Sequence, residues 1–330
     1  MAIQTPDPTH GVATSKPSAE RTTQKFLDGL NGSGGPPMES LTPAAARAVL
    51  TKAQSSADVS LRPADVRLHT ITVDGQPLEL TIVRPAGVAH ILPVFMFFHG
   101  GGWVLGDFPT HERFIRDLVA ESGAAAVYVA YTPSPEAVYP TAINQAYAAT
   151  KWIAEHGQEI NVDGSRLAVV GNSVGGNMAT VVALRAALER GPQIRFQVLF
   201  WPVTDARFET ASYSEFESDH FLTRPMMKWF WDNYTKDAAR RNEVYASPLR
   251  ASLEQLKDLP PALVQTAELD VLRDEGESYA RKLNQAGVEV IAVRVNGMIH
   301  DFGLLNALSG VPAVQAALRQ AAMELKRRLA

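Results

Sequence analysis

A serine flanked by glycines, set between an apolar run and a helix, constrains this chain more than any other feature. Leu167-Ala168-Val169-Val170 leads into Gly171-Asn172-Ser173-Val174-Gly175, and Gly176-Asn177-Met178-Ala179-Thr180-Val181-Val182-Ala183-Leu184 follows. The first stretch reads as a buried strand and the last as a helix. A strand that passes into a helix this abruptly turns a sharp corner. Side chains at its flanks would collide, so glycines stand two residues either side of the serine. The corner raises the Ser173 hydroxyl above the end of a sheet. It also sets the next backbone N–H, that of Val174, at a helix N-terminus.

The rest of the chain agrees with an α/β architecture. Arg67-Leu68-His69-Thr70-Ile71-Thr72-Val73 alternates in polarity, Asp74-Gly75 signals a tight turn, and Leu78-Glu79-Leu80-Thr81-Ile82-Val83 alternates again. This predicts an antiparallel pair with one wet face. Buried-type, largely apolar runs then recur at 93–98, 124–130, 167–170, 196–200, 262–267 and 288–293, separated by helical stretches. Unbroken apolar strands interleaved with helices predict a mostly parallel sheet covered by helices on both faces. In such sheets, reactive residues gather beyond the carboxyl ends of the strands.

Two regions break this rhythm. The first sixty residues hold no strand pattern. Residues 1 to about 17 read as loosely held, 25–30 as a short helix, and Thr42-Pro43 as the cap and first residue of a helix running to Gln54. Between Asp205 and Pro248 the strand pattern lapses again, and Thr223 caps a helix carrying Met226, Met227, Trp229, Phe230 and Trp231. The expected organisation is an N-terminal cap segment over 1–60, a first core part over 61–205, a helical cap insertion over 206–247 and a second core part over 248–330.

Composition excludes several classes. With 330 residues, 46% apolar and 20% charged, the chain has material for a large core. A formal charge of −4 offers nothing to attract nucleic acid or an anionic membrane. The absence of cysteine removes disulfides, thiolate metal sites and a cysteine nucleophile. Residues 1–24 lack a basic region followed by an apolar one, and no run of about 18 apolar residues occurs. A soluble cytoplasmic protein is therefore the expectation.

A serine hydroxyl is a poor nucleophile at neutral pH. It needs a base, a group that orients the base, and donors for the negative oxygen that forms on attack. His99-Gly100-Gly101-Gly102-Trp103 follows directly on an apolar strand, upstream of the serine. Glycines there let backbone N–H groups turn toward a ligand. The expected donors are the N–H groups of Gly101, Gly102 and Val174. The orienting acid should end a later strand. Asp270 does so, and Asp274, four residues on in the next helix, is the fallback. His300 is the only histidine after Asp270. Serine, aspartate and histidine thus occur in the order that this corner demands.

These motifs together resemble the bacterial hormone-sensitive-lipase-like esterases, an α/β-hydrolase family, over nearly everything after residue 20. The family's H-G-G-G-W loop stands at His99 to Trp103, and its G-D-S-A-G-G-N corner at Gly171 to Asn177. Its D-P-L-R-D-E-G stands at Asp270 to Gly276, and its G-M-x-H-G-F at Gly297 to Phe302. The resemblance implies an α/β-hydrolase fold with a helical cap and a Ser173, Asp270 and His300 triad. It also implies activity on short- to medium-chain esters of small molecules, with neither metal nor organic cofactor. Trp103, Met226, Trp229 and Phe230 are the residues expected to line the substrate pocket, and homodimers are common in similar proteins. Two rivals are a non-catalytic ligand-binding protein, as in the related gibberellin receptors, and a hydrolase of lactones, amides or thioesters. The receptors lack the catalytic histidine, which is present here.

The departures from the pattern are as specific as the matches. Asn172 replaces an aspartate beside the serine, which predicts a missing local charge. Val174 replaces alanine, and Asp301 replaces glycine directly after the base, where a carboxylate would raise the His300 pKa. Thr132 and Gln145 stand where the family carries an arginine and an acid. Losing both charges together predicts that these two positions are neighbours.

Overall fold

The computed structural model describes residues 17–330. The expectation of a loosely held segment up to about residue 17 therefore lies outside the described residues, but for its last residue. Two helices come first, α1 (Arg21–Asn31) and α2 (Pro43–Ser55), before the hairpin β1 (Ala64–Val73) and β2 (Gln76–Pro85). Strands and helices then alternate through β3 (Leu92–Phe98), α3 (Phe108–Ser122), β4 (Ala125–Val129), α4 (Thr141–His156), β5 (Val162–Asn172), α5 (Val174–Leu188) and β6 (Phe196–Phe200). The stretch that follows is helical, with α6 (Ala211–Glu215), α7 (Arg224–Tyr234), α8 (Ala238–Arg241) and α9 (Leu253–Leu256). The chain closes with β7 (Ala262–Leu269), α10 (Arg273–Gln285), β8 (Val290–Ile299) and α11 (Pro312–Leu329).

The eight strands form one sheet in the order β1-β2-β4-β3-β5-β6-β7-β8. β2 runs antiparallel to both neighbours, and every other pair from β4 to β8 is parallel. α3 and α11 pack against each other on one face, while α4, α5 and α10 cover the other. Strands buried on both faces need no polar alternation. β3 and β6 accordingly show the near-continuous apolar runs seen in the sequence.

Two boundaries differ from the sequence reading. α1 begins at Arg21 rather than near residue 25, because the Glu20 side chain accepts the N–H groups of Thr22 and Thr23 and so starts the helix earlier. Apolar periodicity does not register such a cap. β8 continues past Val295 to Ile299, because pairing with β7 resumes at Leu269 and Ile299 beyond an irregularity. His300 is thereby the first residue after a strand. The Thr42 and Thr223 caps form as read, each side chain accepting a backbone N–H of its helix.

The first two helices and the stretch after β6 meet over the carboxyl ends of the strands. The Asn31 side chain donates to the Asp219 carbonyl. Arg47 of α2 donates to the carbonyls of Val104 and Ser134 and makes a two-pronged ion pair with Glu136 at 2.7 Å. Burial of Leu27, Ala46, Leu50, Met226, Met227 and Phe230 joins these segments to the core. At roughly 1.5–3 kcal/mol for each large apolar side chain, this packing adds to the polar ties that hold them.

Candidate active site

Ser173 is the single residue between β5 and α5. Its backbone sits at φ 56° and ψ −121°, a region that costs a non-glycine residue about 1–3 kcal/mol. The surroundings hold it there. The Ser173 N–H donates to the Phe200 carbonyl at 2.9 Å, and its own carbonyl accepts from Val203 and Asn177 at 3.1 Å. The flanking glycines are required by space. A Cβ on Gly171 would overlap the Gly175 carbonyl, and one on Gly175 would overlap the Phe98 carbonyl.

The carboxyl ends of β5, β7 and β8, on the same edge of the sheet, bring the sequence-read residues together. Asp270 follows β7 by one residue and His300 follows β8 by one residue, as Ser173 follows β5. The Ser173 Oγ lies 3.0 Å from His300 Nε2, and His300 Nδ1 lies 2.8 Å from Asp270 Oδ2. The other Asp270 oxygen accepts the Leu272 N–H at 2.9 Å, which fixes the carboxylate plane. All three side chains are nearly removed from solvent, at 4%, 2% and 1% exposure. Burial pulls the His300 pKa down, but the charges of Asp270 and Asp301 outweigh it and leave the group above the ordinary histidine value. Asp274 does not reach His300. It sits in the first turn of α10, accepts the Ser212 N–H and pairs with Arg273.

The glycine loop after β3 is tightly built. Gly101 and Gly102 both have positive φ, 99° and 64°. A side chain on Gly102 would occupy the ring of Phe230, so α7 lies directly on this loop. The Gly101 carbonyl accepts from Leu105 at 2.7 Å and Val104 at 3.1 Å. His99 is fully buried and stacks on Tyr131, with ring centroids 4.1 Å apart and planes within 7°. Burial pushes its pKa down to about 4, so the ring is neutral at physiological pH. Its Nδ1 lies 2.8 Å from the Gly100 carbonyl. A neutral ring places the proton on that nitrogen, where it donates to the loop.

The four residues expected to line a pocket take different positions. Trp103 is fully buried, stacked on Tyr234 at 3.8 Å and edge-on to Trp231. Phe230 is buried over Gly102, Met226 is buried beside it on α7, and Trp229 is half-buried with its ring 5.3 Å from Phe230. Val174 opens α5 and is fully buried. Thr132 and Gln145 are neighbours, as the paired loss of charge predicts. The Thr132 N–H and hydroxyl bond the Gln145 amide at 2.8 and 2.9 Å.

Sequence reasoning missed two features. Glu275 is buried, and its carboxyl accepts the N–H groups of Thr204 at 2.6 Å and Asp205 at 3.2 Å, tying the exit of β6 to α10. Burial drives its pKa well above the usual carboxylate range. Its place inside the D-E-G run was the available signal. The second feature is a contact between Asn172 and Asp301, read separately as two departures. The Asn172 Nδ2 donates to Asp301 Oδ1 at 3.0 Å. The charge that Asn172 lacks therefore returns on Asp301.

The comparisons with known proteins bear on the fold. Residues 95–304 match a family model described as an alpha/beta hydrolase fold. This chain is an α/β hydrolase. The solved structure of a thermostable esterase from Pseudomonas putida superposes on it with a TM-score of 0.94 at 68% identity, covering 96% of this chain and 99% of that one. An ethyl acetate hydrolase from Pseudomonas putida is 35% identical over 266 residues, 77% of this chain and 81% of that protein. A carboxylesterase of Mycobacterium tuberculosis is 35% identical over 263 residues, 79% of this chain and 82% of that protein. Among the described residues, no helix of this hydrolase is long and apolar enough to cross a membrane.

Proposed function

We propose that this α/β hydrolase is a carboxylester hydrolase that works through an acyl-enzyme on Ser173. The observation that carries the reading is the line of contacts from Ser173 Oγ through the His300 ring to Asp270, at 3.0 and 2.8 Å. As the serine oxygen attacks the ester carbonyl, His300 Nε2 takes its proton. Asp270 accepts from Nδ1–H, selects that tautomer and stabilises the imidazolium. The N–H groups of Gly101, Gly102 and Val174 receive the negative oxygen. His300 then protonates the leaving alkoxide, and later draws a proton from water as that water attacks the acyl-enzyme.

The same reading assigns α1, α2 and residues 206–247 to a cap over the strand ends, with Phe230 as the ceiling above Gly102. A ceiling this close supports short- to medium-chain acyl groups and monomeric substrates over long chains at an interface. A series of p-nitrophenyl esters of increasing chain length checks this, with Ser173→Ala as the blank. Turnover should peak at short to medium chains and vanish in the blank. A fluorophosphonate probe should label Ser173, and label on any other residue would overturn the mechanism.

A further inference from the structure

We propose that Asn172 and Asp301 act as one positioning unit, which aims the oxyanion loop and sets a second negative charge against His300. This rests on the acyl-transfer reading above. Asn172 is the last residue of β5 and is fully buried. Its Oδ1 accepts the Gly100 N–H at 3.0 Å, and its Nδ2 donates to Asp301 Oδ1 at 3.0 Å. The same Asp301 oxygen accepts the Trp201 Nε1–H at 2.7 Å. The remaining Asp301 oxygen lies 3.9 Å from His300 Nε2. A continuous polar path therefore runs from the residue before Gly101 to the residue after the base.

The contact at Gly100 has leverage. The His99 carbonyl and the Gly100 N–H belong to one peptide group. The Tyr131 hydroxyl donates to that carbonyl at 3.0 Å, while Asn172 accepts the N–H. Side chains thus hold both polar atoms of this peptide plane. Rotating the plane would turn the next two N–H groups, those proposed to receive the oxyanion. The fit is close, since a Cβ on Gly100 would collide with the Asn172 amide.

The chemistry also requires the two residues together. An aspartate at 172 could still accept from Gly100, but it would face the Asp301 carboxylate at hydrogen-bond distance. Two buried carboxylates in such contact cannot both stay ionised. Without an acceptor at 301, the buried Asn172 Nδ2 would lose its partner. The imidazolium that forms on proton transfer then has Asp270 at its Nδ1 edge and Asp301 near its Nε2 edge. Those two carboxylates are the charged groups that act on it, with Ser173 and the Trp201 ring as its neutral neighbours.

Asn172→Ala, Asp301→Ala, their double variant and Asp301→Asn test this, with rates expressed per serine titrated by a fluorophosphonate. Measured above the acid limb, each alanine variant should lower kcat about tenfold with little change in KM, short of the ~100-fold or more from deleting an oxyanion donor outright. The double variant should lose about the same tenfold, because coupled residues are not additive. Asp301→Asn keeps an acceptor for Asn172. It should retain more of kcat than Asp301→Ala while moving the acid limb of kcat/KM to lower pH. A double variant that loses the product of the single effects would overturn the unit, and an unmoved acid limb would overturn the role of the charge. A merely structural role would lower the melting temperature and the titratable fraction, and leave kcat per site and the pH profile alone. Labelling of another residue in the wild type would instead defeat the acyl-transfer reading itself.

Discussion

The floor of the site and the segments proposed to roof it are held by different mixtures of forces. On the floor, Ser173, Asp270 and His300 each stand one residue beyond a strand of the same sheet. Directional hydrogen bonds and a backbone corner at positive φ lock them. The proposed roof, made by α1, α2 and the helices after β6, combines broad apolar burial with scattered polar ties, among them those of Asn31, Arg47 and the buried Gln54 amide. Hydrogen bonds specify angles and so suit atoms that must meet. Apolar contacts specify shape and tolerate repacking. Changes on the floor should therefore act on turnover, and changes in the roof on which substrates are accepted.

Four measurements can break or sharpen that contrast. The largest effect is expected from His300→Ala, which should lower kcat about a million-fold, since a triad acts as a unit. Circular dichroism and the melting curve should confirm that the fold survives. Asp270→Asn should follow with a loss of roughly 10,000-fold, because the amide favours the wrong tautomer of the base. A much smaller loss would mean that Asp301 carries part of the task assigned to Asp270.

In the roof, Phe230→Ala should leave kcat on the shortest ester within a few-fold while raising the long-to-short ratio of kcat/KM on the order of tenfold, as more space opens above Gly102. A uniform fall in kcat across the series would instead show that Phe230 holds the loop and belongs with the floor. The smallest effect is one of position on the pH axis. His300, as the proposed base, must be neutral in the free enzyme, and the charges of Asp270 and Asp301 raise its pKa. The acid limb of kcat/KM should thus lie above the ordinary histidine value of about 6.5, with activity lost as pH falls through it. The linked stability runs the other way. A raised pKa in the folded state stabilises the fold at pH below the unfolded value, and that stabilisation fades as pH rises through the folded one.

Much of this was legible in the order of residues. The glycines at 171 and 175 follow from the space at a single corner, where a Cβ would overlap the backbone of Gly175 or Phe98. The apolar runs from 93 to 267 carry buried strands, since a strand covered on both faces leaves little room for polar side chains, whereas the run at 288–293 falls in edge strand β8 and stays half exposed there. Asp270 and His300 could be named from their places at strand ends and from chain order, because parallel neighbouring strands deliver their carboxyl ends to one edge. Thr132 and Gln145 could be paired from their joint loss of charge, and they do bond each other. Local signals of this kind depend on a few adjacent residues.

Tertiary structure decided what depends on distance across the chain. Asn172 and Asp301 each read as an isolated departure, one losing a charge and one gaining it. Their 3.0 Å contact joins residues 129 positions apart and makes the two changes one. The extension of β8 to Ile299, which brings His300 to the strand's edge, came from renewed pairing with β7 rather than from its own sequence. The aromatic residues of α7 divide in the same way. Nothing in their order says that Phe230 covers Gly102 while Trp231 packs edge-on to Trp103, because helix orientation is set by the surface it meets. By itself, the sequence singled out the candidate reactive groups and determined the sheet that carries them, since backbone sterics and burial act locally. The aim of the glycine loop and the shape of the proposed roof were left to contacts between remote segments, which exist only in the folded chain.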